Sequence, residues 1–178
     1  MKTVAVTGYK NFELGIFKRE AEEVKYIKLA LRRHILSFLD EGLEWVVIAG
    51  RLGTELFAAE LVFELQEEGY ALKLAVLEPF KEQSANWNET NQLWQEEIIA
   101  QADFHDWITK RPYENPSQFE LCDQFIIDHT DGALMLYDLE KEGSPRFFYK
   151  RAKEEADYFL ICIDFYELED VVSETQSF

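Results

Sequence analysis

The residues best placed to do chemistry lie in the stretch Ala49-Gly50-Arg51-Leu52-Gly53-Thr54-Glu55. It follows Glu44–Ile48, a short β-branched and aromatic run, and precedes the helical run Leu56–Glu68. The pattern reads as strand, tight loop, helix. Such a junction exposes backbone N–H groups at a helix N-terminus, where an anion settles. Gly50 and Gly53, with Arg51 between them, serve either a ligand loop or a sharp strand-to-helix turn. The stretch is not a P-loop, because no Lys-Ser or Lys-Thr pair follows Gly53, and it lacks the third glycine of the dinucleotide fingerprint. Glu55 is the informative residue. In a purely structural role it favours the helix dipole by roughly 0.3–1 kcal/mol. As a ligand residue it opposes a phosphate on that terminus and suits a ribose diol, whose hydroxyls it can accept. The sugar is therefore expected near Glu55 and the phosphate elsewhere.

For the phosphate, the backbone N–H groups around Gly143, Ser144 and the helix that starts at Pro145 are the better candidates, with Arg146 or Lys150 nearby. Gly8 and Lys10, in the loop after the first strand, are competing donors. Gly143-Ser144-Pro145 also fits a plain turn into a helix. Tyr9 and Phe80 either stack on a base, worth ~1–3 kcal/mol per base in single-strand binders, or fill the core. Trp87 and Trp94 read as core anchors. His34, His105 and His129 show no metal-ligand spacing; His129, between Asp128 and Asp131 near a helix end, reads as a dipole partner. There is no G-x-S-x-G elbow, no H-E-x-x-H and no catalytic-cysteine context, so an enzyme is neither required nor excluded.

Alternating strands and helices must position these residues. Thr3–Thr7 is a first strand ended by Gly8. A long helix from about Arg19 to Glu41 carries Val24, Ile27, Leu31, Ile35 and Phe38 on one face. Lys25, Lys28 and Arg32 form a solvated stripe, and Gly42 ends the helix. Phe57, Leu61 and Leu65 make the inner row of the second helix. Ala71–Leu77 is a third strand, and Glu78–Ala85 a loop opened by Pro79. Further elements are a helix over Asn86–Ala102, a strand over Phe104–Thr109, and a helix over Ser117–His129 with Phe119, Cys122, Phe125 and Ile126 inward. A strand over Ala133–Tyr137, a helix over Pro145–Asp157, a strand over Tyr158–Asp164 and a short acidic tail helix complete the chain. The fold class is α/β: a Rossmann-like, doubly wound, mostly parallel sheet of about six strands with helices on both faces. Ligands of such sheets bind at the carboxyl ends of the strands, so the loops after strands one, two, three and five should line one crevice.

The chain of 178 residues is one domain's worth, residues 1–178. Its net charge of −17 argues against nucleic acid and anionic membranes as partners. Cys122 and Cys162 sit in no C-x-x-C pattern and suggest a reduced compartment. No signal peptide opens the sequence, and no apolar run approaches the ~20 residues of a membrane span. A cytoplasmic protein is expected.

Gly8 after the first strand, Ala49-Gly50-Arg51-Leu52-Gly53 after the second and Gly143-Ser144-Pro145 before the fifth helix resemble the SLOG superfamily, Rossmann-like proteins that include DprA-type and LOG-type members. The runs Phe125-Ile126-Ile127-Asp128-His129-Thr130-Asp131 and Leu134-Met135-Leu136-Tyr137-Asp138, followed by Gly143, are closer still to the YpsA family within it. The similarity covers nearly the whole chain. It implies binding of a nucleotide-derived ligand, ADP-ribose or NAD-like, by a sensor acting through a protein partner, with a link to bacterial cell-division or stress control. The alternative it implies is a LOG-like phosphoribohydrolase that cleaves an N-glycosidic bond, with Glu55 stabilising the cation or acting as base. The chain departs from its relatives in two places. Cys122-Asp123 stands where many relatives carry Arg-Asn, and Gly143-Ser144-Pro145 stands where LOG-type enzymes carry P-G-G-x-G-T. DNA binding, as in DprA-type proteins, is opposed by the net charge.

Overall fold

The computed structural model describes residues 1–176. The domain expected over residues 1–178 thus includes two residues, 177 and 178, outside the described part. Six strands alternate with helices: β1 (Thr3–Gly8), β2 (Trp45–Ile48), β3 (Lys73–Lys81), β4 (Phe104–Pro112), β5 (Gly132–Leu136) and β6 (Phe159–Ile163). The helices are α1 (Glu22–Asp40), α2 (Thr54–Glu67), α3 (Glu89–Gln101), α4 (Ser117–Asp128), α5 (Arg146–Lys153) and α6 (Phe165–Gln176). The strands form one parallel sheet in the order β4-β3-β2-β1-β5-β6. The chain winds outward from β1 to β4, crosses back to β5, and continues to β6. The order therefore reverses between β1 and β5, which is where an open parallel sheet leaves a crevice.

Right-handed crossovers put α1, α2 and α3 on one face, where α1 packs on α2 and α6 and α2 packs on α3. α4 and α5 pack on each other on the opposite face. The central strands are apolar throughout, as strands covered on both sides must be: all five β5 residues are buried. In α1, Val24, Ile27, Leu31, Ile35 and Phe38 are buried at the expected spacing. The cations on its other face are not simply solvated. Lys28 pairs with Glu60 and Glu64, and Arg32 with Glu68, so they bridge α1 to α2.

Helix α2 is buried well beyond the row Phe57, Leu61 and Leu65, with Leu56, Ala58, Ala59, Val62 and Phe63 also enclosed. In α4 only part of the expected inner row holds: Cys122 and Ile126 are buried, whereas Phe119 and Phe125 stay partly exposed. Strand β3 runs four residues past Leu77, through Pro79 and Phe80. Proline is tolerated there because pairing with β2 stops at Val76, leaving one side of β3 open, and because the β3–β4 register shifts at Phe80/Lys81. Among the described residues, no helix is long and apolar enough to cross a membrane.

Candidate functional site

A crevice of about 790 Å³ opens at the carboxyl ends of the strands. Loops after β1, β2, β3 and β5 contribute Lys10, Arg51, Gln83 and Ser144, and α4 and α5 supply the opposing wall. Of the residues singled out in the sequence, Gly8, Lys10, Arg51, Phe80 and Ser144 line it. Tyr9, Gly50, Gly53, Glu55, Gly143 and Arg146 do not: they stand behind or beside the wall and shape it.

Glu55 shows how. Its carboxylate, 2% exposed, accepts hydrogen bonds from Thr7 Oγ1 at 2.8 Å, the Ala49 N–H at 2.7 Å and the Arg51 N–H at 3.3 Å. The first residue of this group ends β1 and the other two open the β2 loop, so a single side chain ties two strand ends to the start of α2. Burial pushes the Glu55 carboxyl above its ordinary range, against the pull of Arg51 and these donors. Oε1 accepts two of these bonds and Oε2 one, so the protein takes up most of the accepting capacity of this carboxylate. Glu55 thus has a structural role in the junction and is not among the residues that line the crevice.

Arg51 turns the other way, into the crevice wall. Its Nη2 donates to Asp123 at 3.0 Å, and its guanidinium lies 5.8 Å from the centre of the Phe119 ring. Burial works to lower its pKa, but the charges of Asp123 and Glu55 outweigh burial and raise it. Asp123 thus has a defined polar role. Its neighbour Cys122 does not: it is buried, donates to the Leu77 carbonyl, and burial pushes its thiol up to about 12, which makes it no nucleophile.

The glycines serve close approach. A Cβ on Gly53 would lie 2.5 Å from the Asn11 nitrogen and 2.6 Å from the Tyr9 carbonyl oxygen, with φ at +93° besides. Only glycine lets the β1 and β2 loops touch there. A Cβ on Gly8 would strike Leu136 and Thr54, and one on Gly143 would strike Glu13 and Tyr9. Gly50 lies beside Val76, Gln95 and Gln83 rather than at the opening. Tyr9 is 1% exposed; its ring stacks on Phe165 and its hydroxyl is held by the Asp138 and Lys141 carbonyls and the Asp138 N–H, which excludes stacking on a base.

Of the expected phosphate donors at the start of α5, Ser144 is also committed. Ser144 gives its N–H to Glu13 Oε2 at 2.8 Å and its hydroxyl to Glu13 Oε1 at 2.5 Å, and the Lys10 N–H also binds Glu13 at 2.9 Å. Burial works to raise the Glu13 pKa, but these bonds outweigh it and hold the carboxyl below its ordinary range. An internal carboxylate thus stands where the phosphate was expected. Arg146 bonds back to the Gly143 carbonyl.

The crevice is lined by aromatic rings and by charges of both signs, Lys10, Arg51, Lys150 and Arg151 beside Glu120, Asp123 and Glu154. Phe80, near the end of β3, packs on Tyr113 and Phe119, each at 5.2 Å between ring centres, and Trp87, half-buried, lies in the loop that follows. Trp87 is thus a wall residue and not the core anchor expected; Trp94, packed on Phe57, is the core anchor. Lys150 and Arg151 come from α5, on the wall that faces Lys10 and Arg51. Sequence reasoning missed Trp87, Phe119, Gln83 and Arg151 as crevice residues. The signal available was the basic, aromatic α5 segment Arg146–Lys153 within an otherwise acidic chain. The histidines hold no ligand set: His34 pairs with Glu167, His105 with Glu78, and His129 with the Phe125 carbonyl. Among the described residues no cluster suited to a metal ion occurs.

The model of the YspA SLOG family matches residues 4–168 of the chain. A UPF0398 protein of Listeria innocua is 64% identical over 177 residues, covering 98% of this chain and 97% of the relative. A UPF0398 protein of Listeria welshimeri is 62% identical over 98% of this chain and 97% of its own length. One from Bacillus cereus is 51% identical over 179 residues, or 99% of this chain and 97% of the relative.

Proposed function

The chain belongs to the YpsA family of SLOG proteins, and from that premise we propose that its crevice binds a nucleotide-derived anion of the ADP-ribose or NAD class. The observation that carries this reading is the company the cations keep. In a chain of net charge −17, Lys10, Arg51, Lys150 and Arg151 gather around one concavity, where they outnumber the carboxylates Glu120, Asp123 and Glu154 and the walls include Phe80, Phe119 and Trp87. Cations focus an anion into a cleft of low dielectric, and aromatic faces stack on a base. The concavity lies at the strands' carboxyl ends near the reversal of strand order, the usual ligand position in open parallel sheets. Lys10 and Lys150 take the phosphates, because Arg51 is already paired with Asp123 and the Ser144 N–H with Glu13.

We read the protein as a cytoplasmic sensor of one domain that passes its ligand state to a protein partner, in cell-division or stress control. The hydrolase alternative would draw its acid and base from the crevice carboxylates Glu120, Asp123 and Glu154, of which Asp123 is already paired with Arg51. The test is incubation with NAD, ADP-ribose and nucleoside monophosphates, followed by thermal shift and mass spectrometry. Stabilisation without turnover is the expected result. Release of base or nicotinamide would replace the sensor by an enzyme, and absence of any shift would remove the ligand.

A further inference from the structure

Glu78, buried near the end of β3, anchors a side-chain network that runs to the crevice. Its Oε2 accepts from His105 Nε2 at 2.6 Å. Its Oε1 accepts from Gln95 Nε2 at 3.3 Å and from Gln83 Nε2 at 3.2 Å. Both amides also reach the β2 loop: Gln95 Nε2 donates to the Gly50 carbonyl at 2.9 Å and Gln83 Nε2 to the Ala49 carbonyl at 3.0 Å.

This geometry fixes which way the Gln83 amide faces. Both of its Nε2 partners are oxygens that only accept, a peptide carbonyl and a carboxylate. Flipping the amide would set Oε1 against two other oxygens. Both Nε2 hydrogens are therefore used, and among the described residues no donor reaches Gln83 Oε1. Gln83 lines the crevice, in the loop after β3 that also carries Trp87, two residues beyond the strand that carries Phe80. The aromatic wall thus has at its edge an acceptor that cannot turn into a donor.

Stacking alone accepts any base. A locked acceptor does not. We infer that Gln83 Oε1 reads the exocyclic amine of adenine, so that the crevice selects 6-amino over 6-oxo purine nucleotides. An adenine amine donates to Oε1, whereas the 6-oxo group of hypoxanthine would bring oxygen against oxygen, with no rotation of the side chain able to relieve it. The Glu78 network makes this selection by holding the amide, not by touching the base. The inference rests on the nucleotide reading of this crevice and adds its base specificity.

The experiment is calorimetric titration of the full chain with ADP-ribose and with its hypoxanthine counterpart, inosine diphosphate ribose. Wild-type protein should bind the adenine compound about tenfold or more tightly, the usual scale when a buried polar partner is mismatched. Gln83→Leu should bring the two affinities within about twofold of each other, mainly by losing affinity for the adenine compound. Circular dichroism checks that the variant folds; if it does not, Gln83→Met is the replacement, and the wild-type ratio alone still decides. Equal affinities in the wild type, or a preference that survives in a folded Gln83 variant, would overturn the inference and leave the nucleotide reading in place. Binding of neither compound to the wild type would remove both.

Discussion

The β2–α2 junction and the wall made by α4, α5 and the loop after β3 border the same crevice and are built on opposite plans. The junction holds the residues that look most chemical in sequence, yet nearly every polar group in it is spent on the protein. Glu55 accepts from Thr7, Ala49 and Arg51, and Gly53 is in backbone contact with the β1 loop. The facing wall has no motif, but more of its side chains reach the space: Phe119 is partly exposed, Phe147 is 62% exposed, and Lys150 and Arg151 line it, Arg151 while also donating to Gln124. A glycine-rich junction fixes where a crevice is; ordinary side chains across from it decide what enters.

Substitutions should therefore separate into two classes. The largest effect belongs to the junction. Gly53→Ala forces a Cβ into the Asn11 and Tyr9 backbone at a left-handed φ, and should cost about 3 kcal/mol or more in urea unfolding. A loss below about 1 kcal/mol would break the contrast, because the loops would then be free to separate. Glu55→Gln comes next. It presents an NH₂ group to donors that now face a carboxylate and leaves Arg51 with Asp123 alone, so unfolding stability should fall by about 2 kcal/mol. A variant as stable as wild type but unable to bind nucleotide would restore Glu55 to the ligand.

On the facing wall the order of effects reverses, with binding changed and folding spared. Trp87→Ala should weaken ADP-ribose about tenfold, from the ~1–3 kcal/mol of a lost stacking partner, while unfolding shifts by under about 1 kcal/mol. Lys150→Ala should weaken it by about three- to fivefold, an effect that shrinks as salt rises. Salt-independent loss would place Lys150 in packing instead. The smallest effect concerns Glu13. Since its folded pKa is lowered, its contribution to stability is present above the ordinary carboxylate range and is lost as pH falls through the folded value. Urea midpoints measured against pH should decline less steeply on the acid side for Glu13→Gln than for wild type. Parallel curves would mean that the Ser144 contact adds nothing to folding.

The α/β alternation, the parallel sheet and the crevice at the strand ends were legible because period, length and turn residues all agree along the chain. Pro79 misled the end of β3, since its lack of an N–H matters only where a neighbouring strand is paired, and β2 stops at Val76. The site was only partly legible. Residue type placed Arg51, Lys10 and Phe80 at strand ends, but not where each side chain's hydrogen bonds go. Tyr9 and Phe80 are both aromatic and both stand at strand ends; Tyr9 is captured by Asp138 and Lys141 across 129 and 132 residues of sequence. Such long-range partners have no local signature. The same is true of Glu13 and Ser144, whose pairing takes up the Ser144 N–H and hydroxyl.

The central claim is that the aromatic and cationic wall, not the glycine junction, holds a nucleotide. Titration calorimetry of ADP-ribose into wild type and into a Trp87→Ala/Lys150→Ala double variant tests it most directly. The prediction is saturable one-to-one binding to the wild type and none detectable in a double variant of unchanged unfolding midpoint. Undiminished binding in that folded variant, or no binding to the wild type, would contradict it.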